Sequence, residues 1–98
     1  MGRSIYFAIN EQTAAVRFNE DHDNETHRAF ISGMVSMIAD LLNEEAEDAV
    51  YLRDRFFEAL ALQFEEYGDF EKSDGSEFED RADLTDDEET EYYVATVD

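Results

Sequence analysis

Residues 25–67 decide the fold, and they read ETHRAFISGMVSMIADLLNEEAEDAVYLRDRFFEALALQFEEY. Apolar residues recur through this stretch at steps of three and four, the period of a helix with one apolar side. In the first half they form two neighbouring rows, Phe30, Met34, Met37 and Leu41 beside Ile31, Val35, Ile38 and Leu42. In the second half they form the row Leu52, Phe56, Leu60 and Phe64, flanked by Phe57 and Ala61. We therefore predict a broad apolar helical face, with these methionines and phenylalanines in the core.

The helical pattern is interrupted at Asn43, which is followed by the acids Glu44, Glu45, Glu47 and Asp48. Acids favour the first turn of a helix, where free N–H groups and the helix dipole attract negative charge. We therefore predict two helices, at about 25–42 and 45–67, the first capped by Asp23 or Asn24. The alternative is one continuous helix of roughly 65 Å, which would need a second copy to cover its phenylalanines. Gly33 lies inside the first helix and suggests a close approach by a neighbouring element.

Both ends of the chain alternate in the manner of half-buried strands. Residues 4–10 and 14–18 predict a β-hairpin over residues 1–18, and 91–97 is rich in β-branched and aromatic residues. The predicted fold is α+β, a single domain over residues 1–98 with element order β-β-α-α-β. A three-stranded antiparallel sheet is covered by a two-helix hairpin (25–67). A long acidic loop (68–90) precedes the last strand (91–97).

Negative charge is the most unusual property of the chain. Asp and Glu number 27 against 7 Lys and Arg, a formal net charge of -20. Between Glu65 and Glu91, 14 residues are acidic and only Lys72 and Arg81 are basic. No cysteine is present, so no disulfide or thiolate chemistry is available. No signal-peptide or membrane-spanning pattern is visible, and we expect a cytoplasmic protein without a membrane partner.

A calcium loop around residues 73–77 fails on spacing. With Gly75 at the sixth position of an EF-hand loop, Phe70, Lys72 and Arg81 fall where oxygen ligands are needed. A loose divalent site among the neighbouring acids stays open as an alternative to a solvated loop.

No catalytic or cofactor motif is found. His22 and His27 match no zinc spacing, and the serines show no nucleophile signature. With so many carboxylates, any acid–base pair can be found and none is specific. We predict a protein that is not an enzyme and that carries no metal or cofactor.

The charge itself suggests a function. Duplex DNA carries one charge per ~1.7 Å, so twenty charges correspond to roughly 34 Å of duplex. A compact domain of this length has a radius of gyration near ~13 Å, hence a similar span. In size, charge and compactness the chain resembles the small acidic proteins by which phages mimic DNA to block restriction or CRISPR effectors.

The hypothesis is therefore an acidic DNA mimic, encoded by a phage or virus, acting as an anti-CRISPR or anti-restriction inhibitor. It would bind the basic groove of a host nuclease or CRISPR effector as a monomer or homodimer, without binding nucleic acid directly. The predicted partner-binding residues are Glu58, Glu65, Glu66, Asp69, Phe70, Glu71, Asp74, Glu77, Glu79, Asp80, Asp86, Asp87, Glu88, Glu89 and Tyr92. Two alternatives stay open: a protein adapted to concentrated salt, and an acidic adaptor or antitoxin-like partner of a basic protein.

Overall fold

A computed structural model describes residues 3–19 and 23–97. The helices are α1 (Glu25–Asn43), α2 (Ala49–Tyr67) and the short α3 (Ala82–Thr85). The strands are β1 (Arg3–Ile9), β2 (Ala14–Phe18), β3 (Gly68–Lys72) and β4 (Glu91–Val97). A 3₁₀ turn at Ser76–Phe78 precedes α3. The predicted α+β class is confirmed.

The sheet has four antiparallel strands in the order β2-β1-β4-β3. Tyr6 of β1 lies opposite Arg17 of β2 on one side and Val94 of β4 on the other. The prediction of three strands in the element order β-β-α-α-β is wrong, because residues 82–85 add a third helix before β4 and residues 68–72 add a fourth strand. Their sequence GDFEK carries three charges around one phenylalanine and lacks the composition of a strand. An edge strand can carry exposed charges, since pairing on one side holds its backbone.

One face of the sheet carries both long helices. Phe7 of β1 is fully buried there, and its ring meets Phe57 of α2 edge-on, with centroids 5.5 Å apart. Phe64 lies 6.4 Å from Phe7 and stacks on Phe70 of β3. The larger buried aliphatic residues of this core are Ile5, Ile9, Ile31, Val35, Ile38 and Leu42. The sheet and helices are therefore joined by aromatic contacts from three elements.

Only one of the two apolar rows of α1 is buried. Ile31, Val35, Ile38 and Leu42 face the sheet, whereas Phe30 and Met37 are 63% and 65% exposed. The prediction that the methionines and Phe30 lie in the core is therefore wrong. A helix resting on a sheet buries a limited arc, and two adjacent apolar rows are wider than that arc. Gly33 also lies on the uncovered side, because a Cβ there would meet nothing within 4 Å.

The two long helices are separated by the connection Glu44–Asp48. The predicted break near Asn43 is confirmed, and Asn24 caps α1 through a hydrogen bond from the His27 N–H to its Oδ1 (3.0 Å). The acids after Asn43 lie in the connection and not in the first turn of α2, which begins at Ala49. Glu45 has a positive φ of 57°, which ends the helical path.

Residues 73–90, here called the acidic segment, cover part of the opposite face of the sheet. Phe78 (1% exposed) and Leu84 (0%) pack there on Ala8 and Ala15, with Tyr6 and Tyr92 beside them. Residues 68–90 therefore do not form the long acidic loop predicted from composition. Two isolated apolar residues carry the attachment, because they share one buried cluster with two alanines of the sheet.

Among residues 3–19 and 23–97, no helix is long and apolar enough to cross a membrane.

Replacing Leu84 by alanine tests the attachment of the acidic segment. Removing a fully buried leucine side chain should lower the free energy of unfolding by about 2–5 kcal/mol. Leu62, 65% exposed on α2, is the matched control, and Leu62→Ala should change it by less than about 0.5 kcal/mol. Denaturant titration followed by circular dichroism measures both. Equal effects of the two substitutions would contradict the packing described here.

Alanine substitutions at Gly75 and Gly33 test the packing around these two glycines, because one is crowded and the other is open. Gly75 has φ of +81°, and a Cβ there would lie 2.8 Å from the Tyr92 ring. Gly75→Ala should therefore destabilise the fold by more than about 1 kcal/mol. Gly33→Ala should stabilise it by about 0.4–1 kcal/mol, because α1 has open space there and alanine favours helix. Thermal melts of both variants distinguish these opposite signs.

Candidate functional site: the acidic surface

The acidic residues are unevenly distributed over the fold. Residues 12–19, which contain β2, and residues 26–39 of α1 contain no Asp or Glu at all. These two stretches are neighbours, since α1 packs on β2. The 14 acids of residues 65–91 lie on the end of α2, on β3, on the acidic segment and at the start of β4. The acids are therefore concentrated in one region, and residues 12–19 and 26–39 contribute none of them.

The predicted partner-binding acids fall on three elements. Glu58, Glu65 and Glu66 lie on α2, and Asp69 and Glu71 lie on β3. The acidic segment carries the remaining eight, Asp74, Glu77, Glu79, Asp80, Asp86, Asp87, Glu88 and Glu89. All are exposed except Asp87, which is half-buried. Since β3 follows α2 directly and leads into the acidic segment, the structure brings these carboxylates onto consecutive elements.

Four of these acids are engaged within the chain. Asp80 accepts from the Arg17 guanidinium of β2 at 2.8 Å, and Glu58 lies 3.4 Å from Arg55. Asp74 accepts from the Ser76 N–H at 3.0 Å, and Asp87 from the Glu89 N–H at 2.8 Å. These carboxylates stabilise local structure and are less available to a partner.

Nine predicted acids make no side-chain hydrogen bond or ion pair among the described residues: Glu65, Glu66, Asp69, Glu71, Glu77, Glu79, Asp86, Glu88 and Glu89. Each is exposed. Their carboxylate oxygens are therefore available to accept hydrogen bonds from an outside partner.

The two aromatic residues predicted to contact a partner, Phe70 and Tyr92, pack mainly against other rings of the same chain. Phe70 is half-buried and stacks between Phe64 (6.3 Å) and Tyr93 (5.3 Å) on the helix-covered face. Tyr92 is half-buried on the opposite face, stacked on Phe78 at 6.1 Å. A partner can reach only part of each ring. The side chain of Tyr67 lies outside the described part of the structure.

Arg17 of β2, which the sequence did not single out, fastens the acidic segment to the sheet. Arg17 donates to the Glu77 carbonyl (2.8 Å) as well as to Asp80, and its guanidinium lies 5.4 Å from the Phe78 ring centroid. Arg81 pairs with Asp83 at 2.7 Å. The alternation of β2 indicates that Arg17 and Ala15 share a face, but nothing local predicts that the acidic segment covers it.

The acidic segment also borders an open concavity of about 710 Å³. Its lining residues are Gln12, Ala82, Asp83, Asp86, Asp87, Glu88 and Glu89. Within the described ranges no three His, Asp or Glu side chains are placed to hold a metal ion. Asp74 forms a local turn with Ser76.

The ionisation of Asp80 and Asp83 follows from their arginine partners. The hydrogen bond from Arg17 lowers the pKa of Asp80, and the hydrogen bond from Arg81 lowers the pKa of Asp83. On β4, burial and the hydrogen bond to Glu91 raise the pKa of Tyr93 to about 12. At neutral pH both arginine pairs are therefore fully charged and Tyr93 is neutral.

Comparison of the chain with protein-family models, with curated proteins and with solved structures found no match.

The Arg17–Asp80 pair predicts a pH dependence. The folded pKa of Asp80 is depressed, so the ionised carboxylate stabilises the folded protein. This stabilisation is present above the ordinary aspartate pKa of about 3.9. It is lost as the pH falls through the folded pKa. The Tyr92 and Phe78 ring resonances should therefore shift below about pH 4. In Asp80→Asn this pH-dependent shift of the ring resonances should be absent. Titration by NMR compares the two proteins, and identical profiles would contradict the assigned pair.

Proposed function

We propose that this chain is an acidic mimic of DNA that binds a basic nucleic-acid-binding protein and occupies its groove. The observation that carries the proposal is a set of nine exposed carboxylates on α2, β3 and the acidic segment, which have no side-chain partner among residues 3–19 and 23–97. Such a protein fits a phage or viral inhibitor acting in the cytoplasm of a host cell. A nuclease or a CRISPR effector has the required basic channel.

The charge density supports the proposal. The described residues span 38 × 25 × 22 Å, and a duplex as long as the longest of these dimensions carries roughly 22 charges. The formal net charge of the chain is -20. A basic groove that neutralises phosphates over this length would meet a similar total charge.

The way in which the carboxylates are held also supports it. Asp69 and Glu71 lie on a strand paired along its length with β4, and the acidic segment is fastened by Phe78 and Leu84. Carboxylates on ordered backbone lose little conformational entropy when they bind, which favours affinity. A mobile acidic loop would have to be ordered by its partner at a cost.

The uneven distribution of charge favours a binding surface over general adaptation to salt. Acids that serve only solubility gain most when they are spread over the surface, whereas residues 12–19 and 26–39 carry none. An acidic adaptor for a basic protein that does not bind nucleic acid is the alternative, and competition with DNA distinguishes it from a mimic.

The test begins with affinity capture of basic proteins from bacterial hosts, followed by competition with DNA for the captured protein. We expect the chain to displace DNA or RNA, and its affinity to fall as salt screens exposed charge pairs. A partner that binds the chain and its nucleic acid at the same time would contradict mimicry.

Two variants, each with five carboxylates neutralised in a different region, distinguish binding through the acidic surface from an effect of total charge. The test variant changes Asp69, Glu71, Glu77, Glu79 and Glu88 to amides. The control variant changes Asp40, Glu44, Glu45, Glu47 and Asp48, which are exposed at the end of α1 and in the connection to α2. Both variants lose five negative charges. The test variant should associate at least about tenfold more slowly, since electrostatic steering governs encounter. The control variant should slow association much less. Equal losses of association rate in the two variants would show that only net charge matters.

A further inference from the structure

The outer edge of β3 is an open strand edge among residues 3–19 and 23–97. β3 ends the strand order and pairs only with β4. The Ser73 N–H donates to the Tyr92 carbonyl at 2.9 Å, so these two residues continue the β3–β4 register as a hydrogen-bonded pair. Inward and outward backbone groups alternate along antiparallel strands, so those of Phe70 and Lys72 point outward. Neither outward N–H is a donor in the hydrogen bonds of the described residues.

The neighbouring elements leave this edge accessible in the part of the chain that the structure describes. The elements that pack closely on β3 are its strand partner β4 and the helix α2. α2 lies on one face of the sheet, where Phe64 stacks on Phe70. After β3 the chain turns towards the centre of the sheet, since Ser73 bonds to β4 and Gly75 lies against the Tyr92 ring. The acidic segment therefore runs away from the outer edge of β3.

The side chains of β3 give the edge two different faces. Phe70 belongs to the helix-covered core, and strand alternation places Asp69 and Glu71 on the opposite face. Both carboxylates are exposed, and neither has a side-chain partner within residues 3–19 and 23–97. Glu65 and Glu66 at the end of α2 lie just before the strand in the chain. A strand added here would therefore meet carboxylates on one face and an aromatic residue on the other.

Charge decides which kind of strand can be added. Residues directly opposite each other in an antiparallel pair have Cβ atoms about 4.5–5.5 Å apart, where opposite charges attract and like charges repel. Two copies of this chain paired about Phe70 would set Asp69 against Glu71, so the acids protect the edge from self-addition. An extended segment with lysine or arginine at alternate positions would instead find an opposite charge at each of them.

We propose that the β3 edge binds an extended basic segment of the partner as a fifth, antiparallel strand. Arginine or lysine side chains of that segment pair with Asp69 and Glu71, and an apolar residue between them lies opposite Phe70. Backbone hydrogen bonds to Phe70 and Lys72 supply the pairing, as in other complexes in which a peptide adds a strand to a sheet edge. The inference rests on the proposed function for the presence of a basic partner, and it adds the contact that holds this partner.

The first test uses the intact chain and a synthetic peptide in which arginine and valine alternate, with both ends blocked. On addition of the peptide, the Phe70 and Lys72 N–H signals should shift in NMR spectra and exchange with solvent at least about tenfold more slowly. In the antiparallel pairing the valines lie opposite Phe70 and donate their N–H groups to β3, whereas the arginine N–H groups point away.

Methylation of the peptide nitrogens separates strand pairing from attraction by charge alone. Methylating the valine nitrogens removes the donors to β3 and should weaken binding at least about tenfold. Methylating the arginine nitrogens is the matched control, because it keeps the charge and removes only outward donors. It should change the dissociation constant by less than about twofold.

Substitution of Lys72 gives the complementary test on the protein. Lys72→Pro removes an outward N–H and leaves the bonds between β3 and β4 in place, as proline at a strand edge does. It should weaken peptide binding at least about tenfold. The control Lys72→Ala removes the same side chain and keeps the N–H, so it should bind the peptide at least as tightly as the wild type. The methylated peptides use the wild-type chain and decide the question if Lys72→Pro does not fold.

Equal weakening by methylation at valine and at arginine, or unchanged Phe70 and Lys72 signals, would overturn the proposal. The protein captured from a host distinguishes this failure from failure of the proposed function. If that protein exchanges the chain for DNA but binds Lys72→Pro and Lys72→Ala equally well, the edge pairing is wrong and mimicry stands. If the peptide pairs as described but the captured protein holds the chain and its nucleic acid together, mimicry is wrong and the edge pairing stands.

Discussion

The buried side chain of Asn10 joins more parts of this structure than any other polar group described. It lies where β1 enters the turn, and its Oδ1 accepts from two backbone N–H groups of that turn at 2.8 Å. Its Nδ2 donates to the Thr90 hydroxyl (3.1 Å) and the Asp83 carbonyl (3.4 Å), and its own carbonyl accepts from Arg53 of α2. A buried polar group must find partners, and here the partners come from the hairpin, the acidic segment and a helix.

This arrangement lets a chain of high negative charge fold with layers on both faces of its sheet. The helix-covered face is held by aromatic and aliphatic packing, as in many α+β domains. Part of the opposite face is covered by the acidic segment, in which nine of the eighteen residues are acidic, and their repulsion opposes compaction. Phe78, Leu84 and the arginines Arg17 and Arg81 offset that repulsion by burial and pairing. The basic residues are few, but these two act where the acids are closest to the sheet.

The proposed binding surface adjoins one edge of the sheet. The β3 edge adjoins α2 and the acidic segment and carries exposed carboxylates. The β2 edge adjoins the acid-free part of α1. The separation of these two edges follows from the strand order, because β1 and β4 occupy the centre.

Local pattern alone determined the two long helices, the break near Asn43, the cap at Asn24, the hairpin and the last strand. Each depends on periodicity or on side chains that bond their own neighbours in sequence. It also identified the acids, whose exposure follows from the cost of burying a charge. Tertiary structure decided the rest. Which apolar row of α1 is buried depends on how the helix lies on the sheet, and the strand at 68–72 exists because β4 pairs with it. The acidic segment is ordered because Phe78 and Leu84 meet alanines some seventy residues earlier in the chain, a relation between distant residues that no local pattern contains.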